Sequence, residues 1–175
     1  MTAGVQVRAP CRLHFGMFSF GHADRAQYGG VGVMVEPPGV TVTLRAAEQF
    51  GARGEHAERV REFVERIVAR WGLEALPACE ITAKSPPDHV GLGVGSQLGL
   101  AVAAGVRRFL RLADASVEEL ATAVGRAARS AVGTYGFRHG GLIVDAGKKI
   151  GESVGKLQSR VALPDAWRFV LLRQT

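Results

Sequence analysis

The chain has 175 residues, enough for one domain with a sizeable core, and its 47% hydrophobic and 22% charged residues are typical of a soluble globular protein. No apolar run approaches the about 20 residues that a membrane-spanning helix needs, and the first residues lack the apolar core of a signal peptide. We therefore expect a cytoplasmic protein with no membrane partner. The net charge of +6, carried mostly by arginine, favours anionic partners.

The first half of the chain predicts strands followed by one helix. Residues that alternate in polarity indicate strands at 5–8, 12–18, 31–35 and 40–44, and the Pro-Pro-Gly turn between the last two predicts a hairpin. Apolar residues at helical spacing predict a helix over 55–71 that Gly72 ends. We interpret the charged side of this helix, which includes Arg59 and Arg66, as a solvated face.

The second half predicts helices between short strands. A strand at 79–84 leads into a glycine-rich loop, and a helix follows from 97 to about 110. A capping box at 116–119 opens another helix, which we extend to about 128. The glycine-rich stretch 133–141 is interpreted as a loop before a strand at 142–145, and a last strand is predicted at 168–172. These elements give an α+β fold with helices on one face of a mostly antiparallel sheet.

The glycine-rich loop before the helix at 97–110 is the most informative segment. Gly91, Gly93 and Gly95 alternate with other residues, and glycine reaches backbone angles that other residues avoid. Such a loop can turn its N–H groups, together with the positive end of the helix, toward an anion. Ser96 and Gln97 complete the predicted phosphate-binding set. The alternative is a plain surface turn before a helix.

Several motifs resemble those of a known superfamily. Pro87 followed by Gly91-Leu92-Gly93 resembles the phosphate loop of GHMP kinases, and residues 9–16 resemble their first motif. Three segments, at 12–16, 29–34 and 125–147, more narrowly resemble the β-ribofuranosylaminobenzene 5′-phosphate synthase family of methanopterin biosynthesis. The resemblance implies an N-terminal domain like ribosomal protein S5 domain 2 over residues 1–160. Residues 161–175 would then start a C-terminal domain whose remainder lies outside the chain.

The resemblance also implies a reaction and its cofactor. Phosphoribosyl pyrophosphate (PRPP) would be joined to 4-aminobenzoate or 4-hydroxybenzoate, with release of CO₂ and pyrophosphate and with Mg²⁺ as cofactor. Superfamily kinases carry serines where this loop has Val94 and Gly95, and an aspartate where this chain has residues 134–137. Both departures count against ATP phosphoryl transfer. An ATP-dependent small-molecule kinase nevertheless remains the alternative function.

Partners other than a phosphorylated small molecule are weaker expectations. An S5-like fold could bind RNA through its arginines, but no basic stripe interleaved with aromatic residues is present, so nucleic acid is not the expected partner. ATP binding and a homodimer are left open. Cys11 and Cys79 match no metal-binding spacing and are expected to be reduced thiols without a catalytic role.

Four side chains are candidates for the reacting site. Arg12 and His14 share one face of a strand, and the resemblance suggests that they are catalytic; an exposed arginine and a structural histidine are the alternatives. Arg129 is a candidate phosphate clamp or a partner for a helix end. Asp145 could be catalytic and hold Mg²⁺, or begin a turn.

Residues that flank the two glycine-rich segments carry less specific signals. Tyr135 and Phe137 could stack on a benzoate ring, or could simply pack in the core. Asp88 and His89 precede the phosphate loop and are expected to be exposed to solvent.

Overall fold

The computed structural model describes residues 4–19, 21–22, 24–88 and 90–172, so that His89 lies outside the described residues. It confirms the α+β class. The elements along these residues are β1 (Gly4–Phe18), β2 (Gly29–Ala46), β3 (Gly51–Arg53), α1 (Ala57–Trp71), β4 (Cys79–Lys84), α2 (Val94–Phe109), α3 (Val117–Ala123), α4 (Val132–His139), β5 (Leu142–Asp145) and β6 (Leu157–Val161). None of the helices within these ranges is long and apolar enough to cross a membrane.

Strand β2 is the centre of the sheet. One edge of β2 pairs with β1 along almost its whole length, while the other edge pairs with β5 near its start and with β4 near its end. These pairings and β5–β6 are antiparallel, whereas the short β3 runs parallel to β4. Helix α2 packs across β1 and β2, and α1, α3 and α4 pack around α2. The predicted mostly antiparallel sheet is therefore observed.

The helices follow their apolar patterns. In α1 the stripe that includes Phe63 and Ile67 is buried, and Gly72 ends the helix with a left-handed φ of 63°. The predicted capping box is present at α3, because Ser116 Oγ accepts from the Glu119 N–H at 3.1 Å and the Glu119 carboxylate accepts from the Ser116 N–H at 2.7 Å. However, α3 ends at Ala123, well before residue 128, because Gly125 turns the chain with a φ of 66°.

The prediction of a hairpin around the Pro-Pro-Gly turn is wrong. Both flanking segments belong to the single strand β2, and β1 pairs with them in succession, Pro10 with Gly39 and Cys11 with Val35. Residues 36–38 form a bulge between these two registers, where prolines remove no ladder hydrogen bond. The sequence signal for a turn therefore marks a bulge, because β1 is long enough to pair with both segments.

Two further segments differ from their predictions. The glycine-rich stretch 133–141 is mostly the helix α4, because Gly133 and Gly136 allow that helix to pack closely on its neighbours. Residues 168–172 form no strand; they follow a turn in which the Trp167 N–H donates to the Pro164 carbonyl at 3.0 Å. The domain boundary after residue 160 adjoins the end of β6 and stays a prediction.

Candidate anion-binding active site

The glycine-rich loop runs directly into the first turn of α2. Gly93 is the N-cap with a left-handed φ of 65°, and Gly91 has a φ of 80°. The helix begins at Val94, three residues earlier than the predicted Gln97, so that Gly95 and Ser96 lie in its first turn. Because the first N–H groups of a helix lack carbonyl partners within the helix, this end of α2 is suited to an anion.

Arg12 joins β1 to this loop. Its backbone N–H donates to the Leu92 carbonyl at 2.9 Å, and its side chain passes between Gly93 and Gly133, where a Cβ atom would lie 3.2 Å and 3.5 Å from the nearest Arg12 side-chain atoms. Arg12 Nε is buried without a hydrogen-bond partner, and burial lowers the pKa of the guanidinium. A buried charged donor without an acceptor is costly, and an anionic ligand would satisfy it.

Arg126 approaches the same loop from the other side. Its guanidinium lies 5.3 Å from the centre of the Phe63 ring, and its terminal nitrogen would be 3.5 Å from a Cβ atom on Gly95. Arg126 Nε is also buried without a partner. Burial, followed by the neighbouring charges of Arg59 and Arg66, lowers the pKa of Arg126. Arg126 is not among the predicted site residues, although it lies in the segment 125–147 that resembles the synthase family.

Arg59 also faces the loop, and the interpretation of it as part of a solvated face was wrong. Its guanidinium approaches Gly95 and donates to Asp88 Oδ1 at 3.0 Å, while the other Asp88 oxygen lies 3.6 Å from His56 Nδ1. The side chains of Arg59 and Asp88 are 30% and 31% exposed, so the expected full exposure of Asp88 is also corrected. The sequence does contain an indication of this position. Arg59 lies one helical turn before the apolar Phe63, so the two side chains share one side of α1.

Two adjoining cavities, which we call the basic cleft, contain most of the predicted site. One has a volume of 350 Å³ and includes His14 and Arg129; the other, of 260 Å³, includes Arg59 and the glycine loop. Both cavities are lined by Arg12, Ser96 and Arg126. Asp88 is the one acidic residue among the described residues that line the cleft. The cleft is therefore strongly electropositive.

Gln97 and Asp145, both predicted site residues, lie outside the basic cleft. Gln97 is wholly buried and donates through Nε2 to the Gly133 carbonyl at 2.8 Å. Asp145 is 3% exposed, and its carboxylate accepts from the Ser130 hydroxyl at 2.8 Å, the Ala131 N–H at 2.6 Å and the Gly147 N–H at 2.7 Å. Both residues hold the start of α4 in position.

Asp145, the predicted ligand, is not free to hold a resident Mg²⁺ ion. Both oxygens of Asp145 already accept hydrogen bonds, and no group of three or more His, Cys, Asp or Glu side chains that could hold a metal is found in the described part of the chain. A magnesium site usually needs carboxylate oxygens that are free to bind the ion. These contacts do not test whether Mg²⁺ binds together with a substrate, so Mg²⁺ as a cofactor stays a prediction.

His14 lies at the edge of the basic cleft. Its Nδ1 atom is buried without a partner, and its pKa is lowered by burial and by the Arg12 charge, with Asp145 opposing these effects. The imidazole is therefore mostly neutral at pH 7. His14 also lines a neighbouring cavity of 650 Å³, which we call the apolar cavity. Its other walls include Leu13, Phe15, Pro38, Pro87, Leu92 and Val170.

The aromatic and thiol groups of the interior do not reach the basic cleft. Tyr135 is buried and its hydroxyl donates to the Gly155 carbonyl at 2.8 Å, while Phe137 packs against the core. Stacking of either ring on a benzoate is therefore not supported. Cys11 and Cys79 are free and buried, and burial raises the pKa of each thiol to about 11, which keeps both protonated at neutral pH.

Comparison with solved structures identifies the class of fold. The mevalonate kinase of Methanococcus jannaschii superposes with a TM-score of 0.64 at 12% identity, covering 86% of this chain and 56% of the kinase. Mevalonate diphosphate decarboxylase from Staphylococcus aureus superposes with a TM-score of 0.58 at 14% identity, covering 95% of this chain and 51% of the decarboxylase. The chain therefore has the GHMP kinase fold, as predicted.

Sequence comparison narrows the resemblance. No protein-family model matches the chain. The chain is 31% identical to the β-ribofuranosylphenol 5′-phosphate synthase of Archaeoglobus fulgidus over 156 residues, which are 89% of this chain and 49% of that enzyme. It is 29% identical to the enzyme of the same name from Methanothermobacter thermautotrophicus, over 98% of this chain and 58% of the relative. The predicted resemblance to this synthase family is confirmed, and the chain spans about half the length of these relatives.

Proposed function

We propose that the basic cleft binds the phosphate groups of PRPP and that the chain carries this part of a β-ribofuranosylphenol 5′-phosphate synthase active site. The observation that carries the proposal is the pair of buried guanidinium nitrogens, Arg12 Nε and Arg126 Nε, that lack acceptors on either side of the glycine loop. Arginine suits phosphate because its planar fork can donate two hydrogen bonds at once. The names of the sequence relatives support the synthase assignment.

The reaction that we propose replaces a carboxylate on an aromatic ring by a ribosyl group. The ring carbon that carries the carboxylate forms a bond to C1′ of the ribose, and the bond from C1′ to pyrophosphate breaks. The carboxylate then leaves as CO₂ and returns its bonding electron pair to the ring. No oxidant, reductant or net proton is needed. The name of the relatives gives a ribofuranosylphenol as their product, which favours 4-hydroxybenzoate over 4-aminobenzoate as acceptor. We propose the same place in methanopterin biosynthesis that the resemblance implies.

The basic cleft would assist the departure of pyrophosphate. Negative charge grows on the leaving group as the bond to C1′ breaks, and donors that are already in position stabilise such charge without reorganising. These donors would be Arg12, Arg126 and the first N–H groups of α2. The exposed Arg129, which lines the larger of the two cavities, would add a further donor. Because the described residues offer no carboxylate cage, we propose that Mg²⁺ enters only as a counter-ion of PRPP.

Calorimetric titration with PRPP and Mg²⁺ tests the proposal through binding, which suits a chain that spans about half the length of its relatives. We expect the variants Arg12→Ala and Arg126→Ala to weaken PRPP binding at least tenfold, since a hydrogen bond to a charged group contributes about 1.5–3 kcal/mol. Arg138→Ala, an exposed arginine outside the cleft, is the matched control and should bind normally. Unchanged affinity in both cleft variants would place the phosphate site elsewhere.

An ATP-dependent kinase is the second candidate, because the structures with this fold include kinases. The same titration with ATP and Mg²⁺ distinguishes it. Binding of PRPP without ATP supports the ribosyltransferase, whereas binding of ATP alone supports the kinase. The absence of hydroxyl side chains at Val94 and Gly95 in the first turn of α2 favours the first outcome.

A further inference from the structure

The apolar cavity adjoins the basic cleft but differs from it in chemistry. Of the described residues that line it, only His14 is titratable. The volume of 650 Å³ lies within the about 300–1,000 Å³ that is usual for small-molecule sites. The cavity therefore suits an uncharged or aromatic group better than a phosphate.

Several residues line both the apolar cavity and the basic cleft, which shows that the two sites are adjacent. His14 lines both the apolar cavity and the basic cleft, and Gly91 and Leu92 of the glycine loop also line both. The backbone hydrogen bond from Arg12 to Leu92, at 2.9 Å, keeps β1 and the loop together at this point. A group bound in the apolar cavity would consequently lie next to an anion bound in the cleft.

We propose that the apolar cavity binds the aromatic ring of the acceptor, with Phe15 as its main contact. The inference rests on the proposed function and adds the position of the second substrate. Phe15 is 59% exposed although it is a large apolar side chain, and it follows His14 directly in β1. Burying an aromatic ring against Phe15 would remove apolar surface of both groups from water and allow the two rings to stack.

The apolar surroundings also suit the chemistry of the acceptor. A carboxylate that leaves water without gaining a charged partner is destabilised, whereas CO₂ carries no charge and is not. The described lining offers no lysine or arginine that would hold the carboxylate in its charged form. The cavity therefore favours the step in which the ring–carboxylate bond breaks and the electron pair returns to the ring.

The test measures binding of 4-hydroxybenzoate and of pyrophosphate separately, in the chain as it is. NMR titration with 4-hydroxybenzoate, in the presence of saturating pyrophosphate, gives the acceptor affinity, and nuclear Overhauser effects from its ring protons to protein methyl groups give its position. The variants are Phe15→Ser and Leu13→Ser. Phe18→Ser is the matched control, because Phe18 lies on the same strand with 54% exposure and lines neither site.

We expect Phe15→Ser and Leu13→Ser to weaken 4-hydroxybenzoate binding at least fivefold while pyrophosphate binding and the melting temperature of Phe15→Ser stay as in the parent chain. The ring protons of 4-hydroxybenzoate should show nuclear Overhauser effects to the methyl groups of Leu92. Acceptor binding that Phe15→Ser leaves unchanged, or no acceptor binding while pyrophosphate binds, would overturn this inference and leave the phosphate site intact. Failure of pyrophosphate itself to bind would instead contradict the proposed function.

Discussion

The side chain of Arg12 packs so closely on Gly93 that a Cβ atom on the glycine would lie 3.2 Å from both Arg12 Cβ and Arg12 Nε. The glycine is therefore needed for two reasons, its left-handed φ of 65° and the space that Arg12 occupies. We expect Gly93→Ala to cost about 1–2 kcal/mol of folding stability through the backbone alone. It should also displace the guanidinium and weaken pyrophosphate binding at least tenfold, as measured by calorimetry.

Gly72→Ala separates these two effects. Gly72 has a φ of 63°, and nothing lies within 4 Å of a Cβ atom added there. The loss of stability should therefore be the backbone cost of about 1–2 kcal/mol alone, while pyrophosphate binding stays unchanged. Equal binding in Gly93→Ala and Gly72→Ala would show that the position of Arg12 does not matter for the anion.

Arg126 should contribute to the binding of pyrophosphate but reduce the stability of the folded chain. Its charge is disfavoured in the folded chain by burial and by Arg59 and Arg66, which lower its pKa. Arg126→Met retains apolar contact with Phe63 but removes the charge, so we expect a higher melting temperature and a severe loss of pyrophosphate binding. Such opposite effects are typical of a functional site. A lower melting temperature would mean that the arginine stabilises the fold.

Asp145 should behave as a structural residue rather than as a metal ligand. Asp145→Asn replaces one acceptor oxygen by an NH₂ group that would face hydrogen-bond donors. We expect a loss of about 1.5–3 kcal/mol in the free energy of unfolding, measured with denaturant. Asp114→Asn, at an exposed position, should leave the stability unchanged. If Asp145→Asn retained full stability but lost Mg²⁺-dependent PRPP binding, the magnesium role would be supported instead.

Local signals in the sequence predict much of the fold, and they fail where distant packing decides. The stripe of α1 and the capping box at Ser116 need only neighbouring residues, and both predictions are confirmed. The glycines of α4 indicate a loop by local rules, but Gly136 is small because Met34 of β2 packs against it. The site follows the same division. The glycine loop can be recognised in the sequence, whereas only the fold shows that Arg126 of the segment 125–147 places a buried Nε beside that loop.

His14 should make the stability of the chain depend on pH. Its pKa in the folded state is below the ordinary value of 6.5, so the unfolded state binds the proton more readily. Well above pH 6.5 neither state is protonated, and the residue has no effect on stability. As pH falls below 6.5, the folded state loses stability until the folded pKa is passed. Denaturation of His14→Gln between pH 5 and 7 should therefore show a smaller decrease in stability at low pH than the parent chain.

The close contact between Gly136 and Met34 predicts a change of sign in a double-mutant cycle. A Cβ atom on Gly136 would overlap the Met34 thioether, so Gly136→Ala should cost about 1–3 kcal/mol by overpacking. In the background of Met34→Ala the overlap is gone, and the better helix propensity of alanine should stabilise α4 by up to about 1 kcal/mol. Equilibrium unfolding of the four proteins measures both effects. An equal cost in both backgrounds would mean that α4 needs the glycine for its backbone and not for packing.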